Sequence, residues 1–177
     1  MKLPIGRKEL EEQFTQHVIN NPTGPKLKIL TKIMNLAIPF NIPHGFEFKH
    51  LSPMRSVIKL PKRRVNQNHL GTIHACAQVT LGEYTAGLLL IRNYGISDYR
   101  VILKDIHTKF SYQAKTELEG EASFDSNQLT QAKEELKKEG VTEIQIETNI
   151  KDKDQNTTAV VTTTWQLKTW ETVRTPK

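Results

Sequence analysis

Three polar residues, Asn68, His74 and Glu83, sit inside a stretch that is otherwise small and apolar, VNQNHLGTIHACAQVTLGEYTAG at 65–87. The periodicity predicts a buried helix over 73–93, so Glu83 enters an apolar interior. Burying a lone carboxylate costs several kcal/mol, which is rarely spent on packing alone. A general base or a nucleophile is the chemistry such a group serves. The alternative is an ion pair with a lysine or with Arg92. His74 falls at the helix start, where unpaired N–H groups and the positive end of the dipole suit an oxyanion. It equally suits a plain cap. Asn68, ahead of Gly71, orients a loop or a water, or simply holds the turn. Cys76 lies beside His74, but neighbours on a helix diverge by about 100°. Cys76 therefore reads as a small buried residue and not as a nucleophile.

The elements that must position these groups follow from pattern. KLKILTKIMNLAI, after Pro25, places Leu27, Leu30, Ile33, Met34 and Ala37 at helical spacing, with Lys28 and Lys32 elsewhere on its surface. It reads as a helix packed on the domain, with a membrane-surface helix as the alternative. Residues 7–19 read as a polar helix ended by NNPTGP. Pro39 and Pro43 close the second helix.

From Phe46 the period becomes two. FEFKHLS and SVIKLP give short strands. YRVILKDIHTKFSY gives a longer one whose phase slips near Asp105, which predicts a bulge. TELEGEASF sets Leu118, Gly120, Ala122 and Phe124 against Glu117, Glu119 and Glu121. QLTQAKEELKKEG reads as a helix closed by Gly140. TEIQIETNIKD and TTAVVTTTWQLK alternate on either side of a KDKDQN hairpin. The first turns Ile144, Ile146, Thr148 and Ile150 inward; the second does so with Ala159, Val161, Thr163, Trp165 and Leu167. Dense strands with short turns predict an antiparallel sheet. A helix apolar nearly all round must be buried on every side. A curved sheet wrapped around that helix satisfies both, and the glycines Gly82 and Gly87 imply close approach. The fold class is thus α+β, with a helical extension at 1–42 and the sheet domain at 43–172.

Composition bounds the function. Hydrophobic residues at 37% and charged residues at 25% describe a soluble globular chain. One cysteine allows no internal disulfide and fits a cytoplasmic setting. The start shows no secretion signal, and no apolar run is long enough to span a bilayer. Net charge is +6, with Lys59, Lys62, Arg63 and Arg64 clustered in KLPKRR. Nucleic acid, anionic lipid, a phosphorylated ligand and a merely solvated turn compete for that cluster. No aromatic strand motif, zinc-ligand spacing or recognition helix supports nucleic acid.

Asn68, Gly71, His74 and Glu83 match the spacing of a known motif: Asn, two residues, Gly, two residues, His-Gly-Gly, and an acid nine after the histidine. With the strand–helix order around it, the chain resembles the hotdog-fold acyl-CoA thioesterase superfamily, nearest the phenylacetic-acid-pathway type. IPFNIPHGFEFKHLSPMRSVIKLPKRRVNQNHLGTIHA also resembles a hotdog subfamily with a helical N-terminal extension. The resemblance covers about residues 25–170. It implies thioester hydrolysis, with Glu83 as base or nucleophile, His74 and Asn68 beside it, and Gly71 and the Ala75 N–H positioning the carbonyl. Lys62, Arg63 and Arg64 become partners for the phosphates of coenzyme A. No metal and no cofactor are implied. The two family glycines are Ala75 and Cys76 here, the common aspartate is Glu83, and Gly87 replaces a helper hydroxyl. A non-catalytic acyl-CoA or lipid-binding protein is the alternative. A hotdog dehydratase, which carries a proline-rich histidine motif, is the weaker one.

His74 and Glu83 are nine residues apart. At about 100° and 1.5 Å per residue they point to opposite sides of one helix, some 13.5 Å apart along it. A shared site therefore needs two chains. The expected assembly is a homodimer with two composite sites, extended by pairing into a dimer of dimers.

Overall fold

The computed structural model describes residues 24–172 and carries the expected alternation into six strands. The helix expected over 7–19 lies outside the described residues. Helix α1 (Gly24–Ala37) is followed by β1 (Glu47–Leu51), β2 (Arg55–Leu60) and the central helix α2 (Ala75–Tyr94). Then come β3 (Tyr99–Phe110), β4 (Leu118–Ser123), helix α3 (Ser126–Glu139), β5 (Val141–Asp152) and β6 (Thr157–Thr169). The strands form one sheet in the order β1-β2-β4-β5-β6-β3, with every neighbouring pair antiparallel. This is the hotdog arrangement, a curved antiparallel sheet around a central helix.

Each strand turns its apolar set inward, as alternation requires. Leu118, Gly120 and Ala122 are buried on β4 while Glu119 and Glu121 are exposed. On β5, Ile144, Ile146, Thr148 and Ile150 face inward; on β6, Ala159, Val161, Thr163, Trp165 and Leu167 do. The β3–β6 register shifts between Leu103 and Asp105, where the apolar phase slips. All three helices pack on this inner face. α1 contributes Leu30 and Met34, and α3 contributes Ala132 and Leu136.

Helix α2 lies close to the sheet because its residues are small. A Cβ on Gly82 would stand 2.5 Å from the Val161 side chain, and one on Gly87 3.2 Å from the Trp165 ring. Two buried hydroxyls fasten the helix: Ser56 donates to the Thr85 carbonyl at 2.7 Å and Thr148 to the Gly82 carbonyl at 3.1 Å. The helix begins at Ala75, two residues later than expected. Ile73 is held in extended pairing with Gln67, and its N–H bonds the Ala114 carbonyl at 2.8 Å. The expectation of burial on every side is corrected on one flank. Ala75 and Cys76 are exposed, and Val79, Thr80 and Glu83 are half-buried, because no strand or helix of the described chain covers that side. Cys76 is thus a surface thiol, not a buried filler.

The two sheet edges are β1 and β3. Along β1, the Thr31 hydroxyl of α1 accepts from the Phe48 N–H at 3.0 Å, and the Asn35 amide donates to the Phe46 carbonyl at 3.1 Å. Strand β3 has no such cover. Its register with β6 turns Ile106 and Phe110 to the inner face, where they remain 37% and 48% exposed.

Candidate active site

The approach to α2 is a loop built on asparagines. Asn66 is fully buried and donates to the His44 and Pro61 carbonyls, both at 2.9 Å, while its Oδ1 meets His44 Nδ1 at 2.9 Å. The loop is thereby tied to the segment that follows α1. Asn68 is spent on the next turn. Its Oδ1 accepts from the Leu70 and Thr72 N–H groups, and its Nδ2 donates to the Thr72 hydroxyl at 2.9 Å. Gly71 closes that turn at φ +71°, a conformation that favours glycine. Of the two roles open to Asn68, the structure displays the turn-holding one.

His74 occupies the N-cap of α2. Its Nδ1 accepts from the Cys76 N–H at 3.0 Å, which leaves the Nε2 position for the ring proton. The first N–H groups of a helix have no partner within it. Of those here, Cys76 is capped and Gln78 bonds back to the His74 carbonyl, whereas the Ala75 N–H finds no acceptor among the described residues. An exposed, unpaired donor at the positive end of a helix is a ready oxyanion contact.

Two turns further on, Glu83 opens into a cavity of about 530 Å³. The wall beside it comes from Gly87 and Ile91 on the same helix stripe, with Trp165 across the cleft and Ile38 and Phe40 at one rim. Burial in these apolar surroundings raises the Glu83 carboxyl above its ordinary range. The group has no hydrogen bond or ion pair among the described residues, so the alternative of a structural ion pair with a lysine or with Arg92 finds no contact there. A carboxylate with an elevated pKa and free oxygens can attack a carbonyl or take a proton from water.

The predicted residues do not all meet. Asn68, Gly71, His74 and Ala75 form one cluster at the start of α2, and Glu83 stands apart on the half-open flank. Lys62, Arg63 and Arg64 are all exposed on the preceding turn. Arg63 folds back, and its guanidinium lies over Gly45, where a Cβ would stand 2.2 Å from Nη1. Among the described residues no group of three or more His, Cys, Asp or Glu could hold a metal ion.

The family model described as a domain of unknown function, DUF4442, matches residues 27–167. The chain belongs to the DUF4442 family. No curated protein matches the sequence. Among solved structures, a Pseudomonas aeruginosa protein of unknown function, described as a probable thioesterase, shares 24% identity over 96% of this chain and 98% of its own, with a TM-score of 0.71. A putative thioesterase from Shewanella oneidensis shares 14% identity over 81% of this chain and 96% of its own, at a TM-score of 0.65. A mutant thioesterase from Pseudomonas aeruginosa shares 11% identity over 84% and 97%, also at 0.65. These likenesses establish the hotdog fold of this DUF4442 chain.

Sequence reasoning missed the aromatic rim. Phe40 lies between two prolines, and Trp170 follows the last strand, so neither belongs to a periodic run that would assign it a face. Phe40 reaches the cavity when the segment after α1 folds across α2, and Trp170 reaches it from the turn that follows β6.

Proposed function

We propose that this protein hydrolyses acyl-CoA thioesters at a site shared between two copies of the chain. The observation that supports this most is Glu83, a carboxylate without a charge partner among the described residues, in a largely apolar cavity. Its oxygen, or a water it deprotonates, attacks the thioester carbonyl carbon. The C–S bond breaks and the sulfur leaves with a proton as free coenzyme A. Direct attack gives an anhydride on Glu83, which water then opens to the acid. Charge building on the carbonyl oxygen is met by the Ala75 N–H at the start of α2 in the other copy, with the Asn68–Gly71 turn and the His74 cap holding that N–H in place. Lys62, Arg63 and Arg64, carried by the same loop, take the coenzyme A phosphates. The uncovered β3 edge and the open flank of α2 favour a second copy on that side. A cytoplasmic location accords with a coenzyme A substrate.

The alternative, an acyl-CoA binder without turnover, draws on Ala75 and Cys76 standing in place of two glycines. A side chain at Ala75 crowds the approach to its N–H. A panel of acyl-CoAs assayed for free thiol separates the two readings: a catalytic, Glu83-dependent release is expected. Saturable binding with no thiol released by any acyl group would establish the binder instead.

A further inference from the structure

Helix α1 carries an outward stripe that nothing in the described chain covers. Leu27, Leu30 and Met34 face the core. At about 100° per residue, Pro25, Ile29, Lys32 and Leu36 fall on the opposite side. Ile29 is 44% exposed and Leu36 73%, and in the turn after the helix Phe40 is 68% and Ile42 50% exposed. Four large exposed apolar side chains on one helix and the turn that follows it exceed the scatter of single apolar residues that a soluble surface normally shows.

The charge around the stripe has one sign. Lys26 and Lys28 flank it, Lys32 lies within it, and no acidic residue occurs from Gly24 to Phe46. A groove of about 450 Å³ runs beside the helix, bounded by Leu27, Lys28, Lys32, Phe48 and Lys49, with the nearest carboxylate, Glu47, already paired to Lys49 at 2.8 Å. Exposed apolar side chains for the acyl boundary and lysines for the phosphates, with a groove lined by Lys28, Lys32 and Lys49 beside them, form a surface complementary to anionic lipid. The far end of the stripe reaches the Glu83 cavity, since Phe40 lines it.

We infer that α1 and the turn after it dock this protein reversibly on an anionic bilayer, with the cavity rim at the lipid surface. The docking stands apart from the hydrolytic reading, because lipid binding needs no turnover. It also differs from insertion, as no described helix is long and apolar enough to cross a membrane.

The test is co-sedimentation of the full chain with vesicles of phosphatidylcholine alone and of phosphatidylcholine mixed with phosphatidylglycerol. Binding is expected to the mixed vesicles only, and to fall steeply as salt approaches about 1 M. Changing Lys26, Lys28 and Lys32 together to glutamine should weaken it about 100-fold. Ile29→Ser with Leu36→Ser should weaken it about 10-fold or more. Both variants should keep the wild-type melting temperature and the wild-type response to a short, soluble acyl-CoA. Equal binding to neutral vesicles, no binding at all, or binding untouched by these substitutions would overturn the inference. So would a serine variant that changes the molar mass in light scattering while binding vesicles like wild type, which would make the stripe a protein interface.

Discussion

The two edges of the sheet are finished differently. β1 is five residues long, its register with β2 shifts between Phe48 and His50, and α1 lies along it. Thr31 satisfies the outward N–H of Phe48 and Asn35 the Phe46 carbonyl just before the strand, which is one way a sheet edge is kept from pairing with another chain. β3 is twelve residues long and bare, and its inner face shows Ile106 and Phe110 to solvent. Glu83, on the open flank of α2, shares its cavity with Tyr99, Val101 and Ile102 of this strand. One edge is closed within the chain, and the other is left uncovered by the described residues. A polar residue on the closed side is a local matter, whereas under the proposed two-copy site one on the open side would control assembly and with it catalysis.

The largest effect should come from spoiling the open edge. Ile106→Asp with Phe110→Asp places two charges on the surface a partner would cover. Light scattering should report a monomer, and thiol release should drop to background, with circular dichroism unchanged. A variant that keeps wild-type mass and activity would remove β3 from the interface.

Next is the carboxylate on the open flank. Glu83→Gln keeps the shape and loses the charge, so turnover should fall by at least about 100-fold while the dimer persists. Its stability should move the other way. Burial raises the Glu83 pKa above 4.5, so the folded state favours the neutral acid. That favour is complete in acid and is lost as pH rises through the folded pKa. The glutamine variant should therefore match wild type in acid and melt higher near neutral pH. The acid limb of the wild-type kcat/KM profile should likewise lie above the ordinary glutamate range. A mutant of equal activity would end the catalytic assignment.

A sharper form of the comparison asks whether the open side joins two chains at one site. Glu83→Ala and His74→Ala, each inactive alone, are unfolded together and refolded. Random pairing makes half the dimers mixed, and each mixed dimer holds one intact site, so activity should return to roughly a quarter of wild type. Proven mixing with no recovery would place the partners of Glu83 within its own chain.

Most of the sheet and helix plan was legible because burial imposes a period. The alternation of TEIQIETNIKD and TTAVVTTTWQLK leaves one face that can be inside, and the phase slip near Asp105 marks the bulge. Glu83 was legible for the opposite reason, as a charge where burial forbids one. The covering of surfaces was not legible. Whether Cys76 lies under a strand or beyond it depends on where the sheet ends, and no local pattern encodes that. The fates of Asn68, used up in its turn, and of Arg63, folded over Gly45, depend on contacts between loops distant in sequence.

Beneath the open flank, α2 itself tests how tightly its sheet-facing side is packed. Gly82→Ala puts a Cβ 2.5 Å from the Val161 Cβ, a branch point that no rotamer change can withdraw. The cost should be about 1–3 kcal/mol in denaturant unfolding, even after the gain in helix propensity. Val161→Ala in the same chain should recover only part of it, since the offending Cβ remains. Full recovery would mean that the helix shifts freely on the sheet, and the spacing of the site would then not be fixed by this contact.

The smallest effect belongs to the closed edge. Thr31→Val is nearly isosteric and removes the hydroxyl that accepts from the Phe48 N–H and donates to the Leu27 carbonyl at 2.8 Å. The Leu27 carbonyl keeps its place in the helix ladder, so little is lost there. The Phe48 N–H, in contrast, points outward from the sheet and has no strand to bond. Leaving such a donor unmet costs about 1–3 kcal/mol where water is excluded, and Phe48 itself is 5% exposed. The expected result is a loss of about 1–2 kcal/mol in stability, with mass, thiol release and acyl preference unchanged. Because α1 still covers β1 through Leu30 and Met34, the freed N–H should recruit no second chain. A Thr31→Val protein that gains mass would show that the hydroxyl, and not the helix, keeps this edge closed, and the contrast between the two edges would then rest on a single hydrogen bond.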